Sequence, residues 1–508
     1  MSEAAAETGT RSYAIGSAIY LRLLAAIYFV AFVSLWVQID GLIGSGGILP
    51  AADFFRLVGE RLGVERYTYF PSLCWLSSSD AFLHVLCGAG ATVAAAAVIL
   101  PLWAAPWPIL WALYLSLFVA GQTFLGFQWD ILLLEAGFLA VLLAPARLTP
   151  GRGIVHAPRR IAVELHAWLL FRLLFASGVV KITWHDPSWQ LNDLTALTFH
   201  YETQCLPPWT AWYMHHLPAA FHRASCAALF AIEIGGSLLL LVPGRARRIG
   251  CFLQAILQVT IAVTGNYGFF NYLTLALCVP LLDDAGWPRR IRQRMLEKNG
   301  APRLPARRWP AWLAGSFGGI VGLASIPVFV GNLAPDPAAW LGPLSRAWEV
   351  SYQVAEPFHR LHVVSSYGLF RSMTKDRPEI VVEGSDDGTE WKAYEFKYKP
   401  GDLSRRPAFV APHQPRLDWQ MWFAALSSPL HDRWFLSFVH RLLEGSQPVL
   451  GLLAKDPFEG KAPRYVRALR YDYHFTSPEE GRSTGNWWKR TPRDVYLRPV
   501  SLASFERH

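Results

Sequence analysis

The residues best equipped for chemistry lie close together, in FRLLFASGVVKITWHDPSWQLNDLTALTFHYETQCLPPWTAWYMHHLP, residues 171–218. The stretch starts as an apolar run carrying Arg172 and Lys181. It then gathers His185, Asp186, Asp193, His200, Tyr201, Glu202, Gln204, His215 and His216 among Trp184, Trp189, Trp209 and Trp212. Lys181 follows Ser177 by one helical turn. Partly desolvated, it could act as a base; at the end of a span, it could equally snorkel to the interface. His200, Glu202, His215 and His216 suggest metal ligands by type but not by spacing. Adjacent histidines diverge on a helix and no HExxH is present, so hydrogen-bonding or substrate-contacting roles are expected, with no metal and no cofactor. GxSxG, a phosphate-binding Gly loop and a dinucleotide fingerprint are all missing, which removes the common hydrolase, nucleotide and redox readings.

Such a group must be held by something, and the composition says by what. The 508 residues are 52% hydrophobic and only 17% charged, with 22 Trp. This fits a membrane part joined to a water-soluble part. Trp suits an interface where one end of the ring is apolar and the other wet. The net charge of +9 gathers in short connections between apolar runs, which points to membrane topology rather than to nucleic acid. Six Cys without CxxC show no thiol-exchange motif. Cys74 and Cys205 fall in polar segments, and a disulfide between them is expected. The first residues lack a basic signal-peptide region, so the first apolar run is expected to remain as a helix.

Nine apolar runs occur, at 14–39, 81–103, 107–125, 129–148, 162–182, 219–242, 249–263, 269–282 and 311–333. A span needs about 20 residues. The short seventh and eighth, joined by TGNYG, could instead form a re-entrant hairpin. Arginine-rich connections (Arg147, Arg152, Arg159, Arg160; Arg245, Arg247, Arg248; Arg289 to Arg308, with Lys298, Arg303 and Arg307) orient the chain by the positive-inside rule. The fold expected is a polytopic α-helical membrane domain of about nine spans, amino terminus inside and carboxyl terminus outside. A cytoplasmic tail (1–12) precedes the membrane domain (13–335), whose outer caps are 40–80 and 183–218. A β-rich soluble domain (340–508), sandwich-like with a helical insertion, follows an Arg/Pro-rich linker at 302–310. In it, EIVVEGSDDGTEWKAYEFKY reads as two strands around a turn. RYVRALRYDYHFT alternates, with Tyr465, Leu469, Tyr471, Tyr473 and Phe475 on one face. DWQMWFAAL and DRWFLSFVHRLLEG have helical spacing.

Ionisable groups inside spans are costly. Arg172 and Glu233 each lie about ten residues from the inner end of their runs, at ~15 Å depth, and are expected to pair. Gln128 and Glu135 share a helix face, Asp130 caps that helix or faces the cap, and Asn266 satisfies backbone groups at a turn.

FQWDILLLE, HYETQ with HHLP, TGNYGFFNYLTLALCVPLLDD, EGSDDGTEWKAYEFKYKPGD and APHQPRLDWQMWFAAL occur in an order that resembles the lipase maturation factor family across nearly the whole chain. The resemblance implies a membrane-embedded factor, in the endoplasmic reticulum of animals, that helps secreted lipases reach their active form. It also implies an outer domain that handles the client. A bacterial setting would put that domain in the periplasm. Membrane lipids and an exported lipase are then the expected partners; the oligomeric state stays open. A second, shorter likeness competes: FRLLFASGVVKITWHDPSW is similar to the span of vitamin K-dependent carboxylases that carries their catalytic Lys. That likeness implies an enzyme with Lys181 as base and Glu135, His200 and Glu202 lining a pocket for a lipid or quinone-like ligand.

Overall fold

The computed structural model describes residues 11–150, 156–297 and 308–505. Most of the expected tail, most of the expected linker, and Arg152, Lys298, Arg303 and Arg307 lie outside the described residues.

Each apolar run forms a helix. These are α1 (Ala14–Trp36), α2 (Asp80–Ile99), α3 (Pro106–Ala120), α4 (Gln128–Leu143), α5 (Arg160–Thr183), α6 (Ala219–Leu240), α7 (Arg245–Thr264), α8 (Phe270–Cys278) and α9 (Ala311–Asn332). Among the described residues only six, α1, α2, α5, α6, α7 and α9, are long and apolar enough to cross a membrane. This corrects the expectation of nine. The other runs are cut short: α3 and α4 have 15 and 16 residues and α8 has nine. Local chemistry explains the shortening. Pro145 forbids the residue before it from continuing α4, and Pro280 leaves only a 3-10 turn after α8. The seventh run, by contrast, is longer than its apolar part suggests, because Arg245 to Arg248 form its first turn.

α6 is not a uniform helix. Its middle, Ala231–Gly236, is a π segment with Glu233 in it. Such bulges re-aim a side chain. Beyond α9 an amphipathic helix, α10 (Ser345–Arg360), packs back on α9 and leaves Val350 and Val354 exposed.

The soluble domain is built on an open four-stranded antiparallel sheet in the order β2-β1-β5-β6, with β1 Pro378–Ser385, β2 Lys392–Ala393, β5 Tyr465–Phe475 and β6 Trp488–Val500. A ribbon of β3 (Glu395–Phe396) and β4 (Leu453–Lys455) stands apart. Helices α11 (Arg416–Ala425) and α12 (Arg433–Leu443) pack on β1 and β5, so the expected sandwich is corrected to an open sheet with a helical layer. The expected face of β5 is corrected as well. Val466 and Ala468 are buried in its first half, Tyr473 and Phe475 in its second. Register shifts between Val466 and Tyr471 move the buried side chains from even to odd positions. One strand thereby serves two cores. Val466 and Ala468 belong to the large core that runs on into the membrane helices. Tyr473 and Phe475 join Trp488, Trp189, Leu197 and Tyr201 of the cap.

Candidate functional site

Two groups of polar residues emerge. The first is a belt where the soluble domain meets the membrane domain, and the second is a cavity inside the latter.

The belt takes in most of the residues singled out from sequence. The strap before β1, residues 363–377, reaches between the helices as far as the middle of α4 and α5. Glu135 on α4 pairs with Arg172 on α5, both fully buried. Glu135 also accepts the backbone N–H of Ser365 at 2.9 Å and the hydroxyl of Tyr367 at 2.7 Å, while Arg172 donates to the Ser365 carbonyl at 2.9 Å. Gln128 accepts from Gly368 N at 3.3 Å. Asp186 takes Met373 N at 2.7 Å. At the end of the strap, Arg377 donates to the carbonyls of Glu202, Gln204 and Cys205 at 2.7, 2.5 and 3.0 Å, and pairs with Glu379 at 2.8 Å.

A second connection, 408–416, adds to the belt. Arg416 grips Asp130 with two bonds of 2.6 and 2.8 Å, both residues fully buried, and Tyr114 donates to the same carboxylate at 2.5 Å. Asn266 donates to the carbonyls of Leu206 and Ala408 and accepts from Val410 N and Ala411 N at 2.8–3.1 Å. The turn that presents it needs Gly268: φ is +54°, and a Cβ there would meet the Gln414 side chain at 2.5 Å. His413 meets Ser34 at 2.9 Å, and burial together with the charges of Arg416 and Lys397 holds its pKa down to about 4.

Glu202 closes the belt. It accepts from Phe475 N at 2.8 Å, bonds His474 Nδ1 at 2.9 Å and faces His215 at 3.6 Å. Burial, partly offset by Glu202, lowers the pKa of His215. The histidines do not act together: His216 bonds back to the Trp212 carbonyl, and His200 faces elsewhere.

The cavity lies between α5, α6, α7 and the Ala196–Thr203 helix. It is about 150 Å³ in volume and mostly apolar. Lys181 pairs with Glu233 at 2.8 Å, donates to the Ser177 carbonyl at 2.9 Å and stands 5.4 Å from the Trp189 ring centroid. Lys181 is therefore buried, at 1% exposure, and does not snorkel. The expected Arg172–Glu233 pair is corrected: Arg172 holds Glu135, and Glu233 holds Lys181. The depth estimate failed because α6 does not run level with α5. Gly178 brings the two backbones together, and a Cβ on it would meet Ile234 at 2.7 Å and Glu233 at 3.1 Å. Glu233 thus stands beside the outer part of α5, near Lys181. His200 and Tyr267 complete the polar end of the cavity, 3.2 Å apart, with Tyr267 donating to Gln204 at 3.0 Å.

The expected Cys74–Cys205 disulfide is not formed. Both thiols are free and buried, Cys74 against the Ser116 carbonyl of α3 and Cys205 in the segment held by Arg377. Burial pushes the Cys74 thiol up to about 11 and that of Cys205 well above its usual value, so neither is a ready thiolate. Sequence reasoning missed two buried clamps, Arg377 and Arg416. Arg416 stood in a quoted motif, yet nothing in its neighbours marks an arginine as buried.

The order of these two parts matches known proteins. Residues 15–289 match the lipase maturation factor transmembrane domain, and residues 363–498 match the lipase maturation factor C-terminal domain. Lipase maturation factor 2 of Gallus gallus is 38% identical over 95% of this chain and 81% of its own length. The Homo sapiens protein of that name is 38% identical over 95% and 82%. Lipase maturation factor 1 of Homo sapiens is 36% identical over 95% and 87%. No solved structure matches. With both family domains present in order and these relatives aligned over 95% of it, the chain belongs to the lipase maturation factor family.

Proposed function

We propose that this chain is a membrane-embedded maturation factor for secreted lipases, a folding aid rather than a catalyst. The observation that carries this reading is the alignment of 95% of the chain with lipase maturation factors 1 and 2. The alternative, an enzyme with Lys181 as base, loses two of its three pocket residues: Glu135 and Glu202 are bonded to the soluble domain, away from Lys181. The ammonium of Lys181 is bound to Glu233 and a carbonyl, so no free base faces a substrate.

On this reading the chain divides into a membrane domain at 13–335 with caps at 40–80 and 183–218 and a soluble domain at 340–508. The arginine-rich end faces the cytoplasm and the soluble domain faces the periplasm or the lumen of the endoplasmic reticulum, with the short α3, α4 and α8 also carrying the chain between the two ends: Asp284, after α8, accepts from Ala14 N and Ile15 N at the start of α1. Two features support this sidedness. Arg11, Arg159, Arg160 and Arg308 surround one cleft at the start of α1. At the opposite helix ends the strap meets Gln128 and Asp186, and Thr183 meets the Leu333 carbonyl at 2.6 Å.

The test is secreted lipase activity from cells lacking this protein, complemented by the full chain or by a truncation after Leu333. The full chain is expected to restore activity and to co-purify with the lipase, and the truncation to do neither. Full rescue by the truncation, or none by an inserted full chain, would remove the reading.

A further inference from the structure

The cavity beside Lys181 has features that neither the fold nor the maturation reading requires. Over its inner half α6 packs on α7, while its outer half leans on the Ala196–Thr203 helix instead. Phe221, Ser225 and Leu229 of that outer half line the cavity on one side, and Thr260 and Ile261 of α7 line it on the other. Phe221 is 44% exposed on a membrane helix. The cavity thus has a wall on the bilayer side made by two diverging helices.

Its polar end is specific. The Gln204 amide nitrogen donates to the carbonyls of Tyr201 and Thr264, so its oxygen is the acceptor for Tyr267. Tyr267 has a single proton and donates it to Gln204. His200 must then donate to Tyr267 from Nε2. Burial, with the charge of Lys181 adding to it, holds the His200 pKa down to about 4, so the ring is neutral at physiological pH and Nδ1 is an acceptor. Glu233 uses Oε2 for Lys181. Its Oε1 and His200 Nδ1 have no protein donor among the described residues. The Lys181 and Glu233 charges cancel, which leaves no net charge to hold an ionic head group. Both acceptors, Glu233 Oε1 and His200 Nδ1, face the cavity side of their pairs, so each can accept a hydroxyl proton from a molecule that fills it.

We infer that the cavity binds one chain of an uncharged, hydroxyl-bearing lipid, such as a monoacylglycerol, entering between the outer halves of α6 and α7 with its hydroxyls at His200 and Glu233. A cavity of this volume encloses on the order of six carbons, so the rest of the chain stays in the bilayer. The inference goes beyond lipase maturation and does not depend on it.

The full-length protein in nanodiscs of neutral phospholipid is irradiated with a monoacylglycerol carrying a diazirine in its chain, and labelled peptides are mapped. Parallel arms use a diazirine fatty acid, a diazirine long-chain alcohol and a diazirine lysophosphatidylcholine. Labelling is expected around Leu229, Leu257 and Ile261, competed by unlabelled monoacylglycerol. Ser225→Trp, which fills the mouth, should reduce it roughly tenfold. Thr260→Trp on the facing wall serves if Ser225→Trp fails to fold. Preference for the monoacylglycerol supports an acylglycerol ligand, and equal use of the alcohol supports any neutral hydroxyl lipid. Labelling equal in all four arms, labelling untouched by both fillings, or preference for the fatty acid or lysophospholipid would overturn the inference.

Discussion

The belt and the cavity both place charged side chains inside an apolar protein, and they do so differently. At the belt each carboxylate takes donors from both domains: Glu135 from the strap and from Arg172 of α5, Asp130 from Arg416 and from Tyr114 of α3. In the cavity the ion pair is complete within the membrane helices and acceptors remain beside it. An ionisable residue in a span is therefore no guide to function by its type alone. What decides is the set of partners: a closed set makes a joint, and an open one makes a site.

The comparison breaks most sharply at Asp130. Asp130→Ala leaves Arg416 buried without its counter-charge, and about 3–5 kcal/mol of stability should go with it. Thermal unfolding in detergent reads the loss, and replacing Arg416 by Met in the same chain should restore much of it. A single variant that melts like the wild type would mean that the belt is not a joint. Asn266→Ala is expected to cost less, about 1–3 kcal/mol, by stripping Val410 N and Ala411 N of their acceptor. Limited proteolysis should show earlier cleavage within 408–416.

Acid should act on the belt in a predictable direction. Burial keeps His413 neutral down to about pH 4, and the pKa of His215 is lowered too. The unfolded chain binds these protons from about pH 6.5 downward, so it holds more protons than the folded chain between those limits. Stability is complete above pH 6.5 and falls as the pH drops toward 4. Melting temperatures between pH 7.5 and 5 measure the slope, and His413→Gln should flatten it; an unchanged slope would exclude His413 as a contributor. The smallest effect is expected for reduction. With Cys74 and Cys205 free, dithiothreitol should leave the melting curve and gel mobility as they are.

The run lengths and charge placement made the helical membrane part and the sheet-containing soluble part legible in advance. Exact spans were not, because a hydropathy pattern does not see where Pro145 or Pro280 stops a helix. Arg172, Glu233, Lys181 and Glu135 were recognised as important, while the partner of Arg172 was misassigned. Depth along a helix follows from residue counts, whereas relative height of two helices depends on contacts such as that of Gly178 with Glu233. The strap was invisible for a different reason. Besides Tyr367 and Arg377 it binds through the backbone N–H groups of Ser365, Gly368 and Met373, and every residue but proline carries one. On β5 the alternation was plain, yet register shifts exchanged its faces midway.

The strap also bears on the order of events during synthesis. Glu135 precedes Ser365 by 230 residues, and Asp130 precedes Arg416 by 286. At ~5–20 residues per second, the membrane helices wait roughly 10–60 s for the groups that complete their buried carboxylates. Until the strap and Arg416 have been made, the bundle exists with open sockets. The protein that assists the folding of others thus finishes its own membrane part with groups made last.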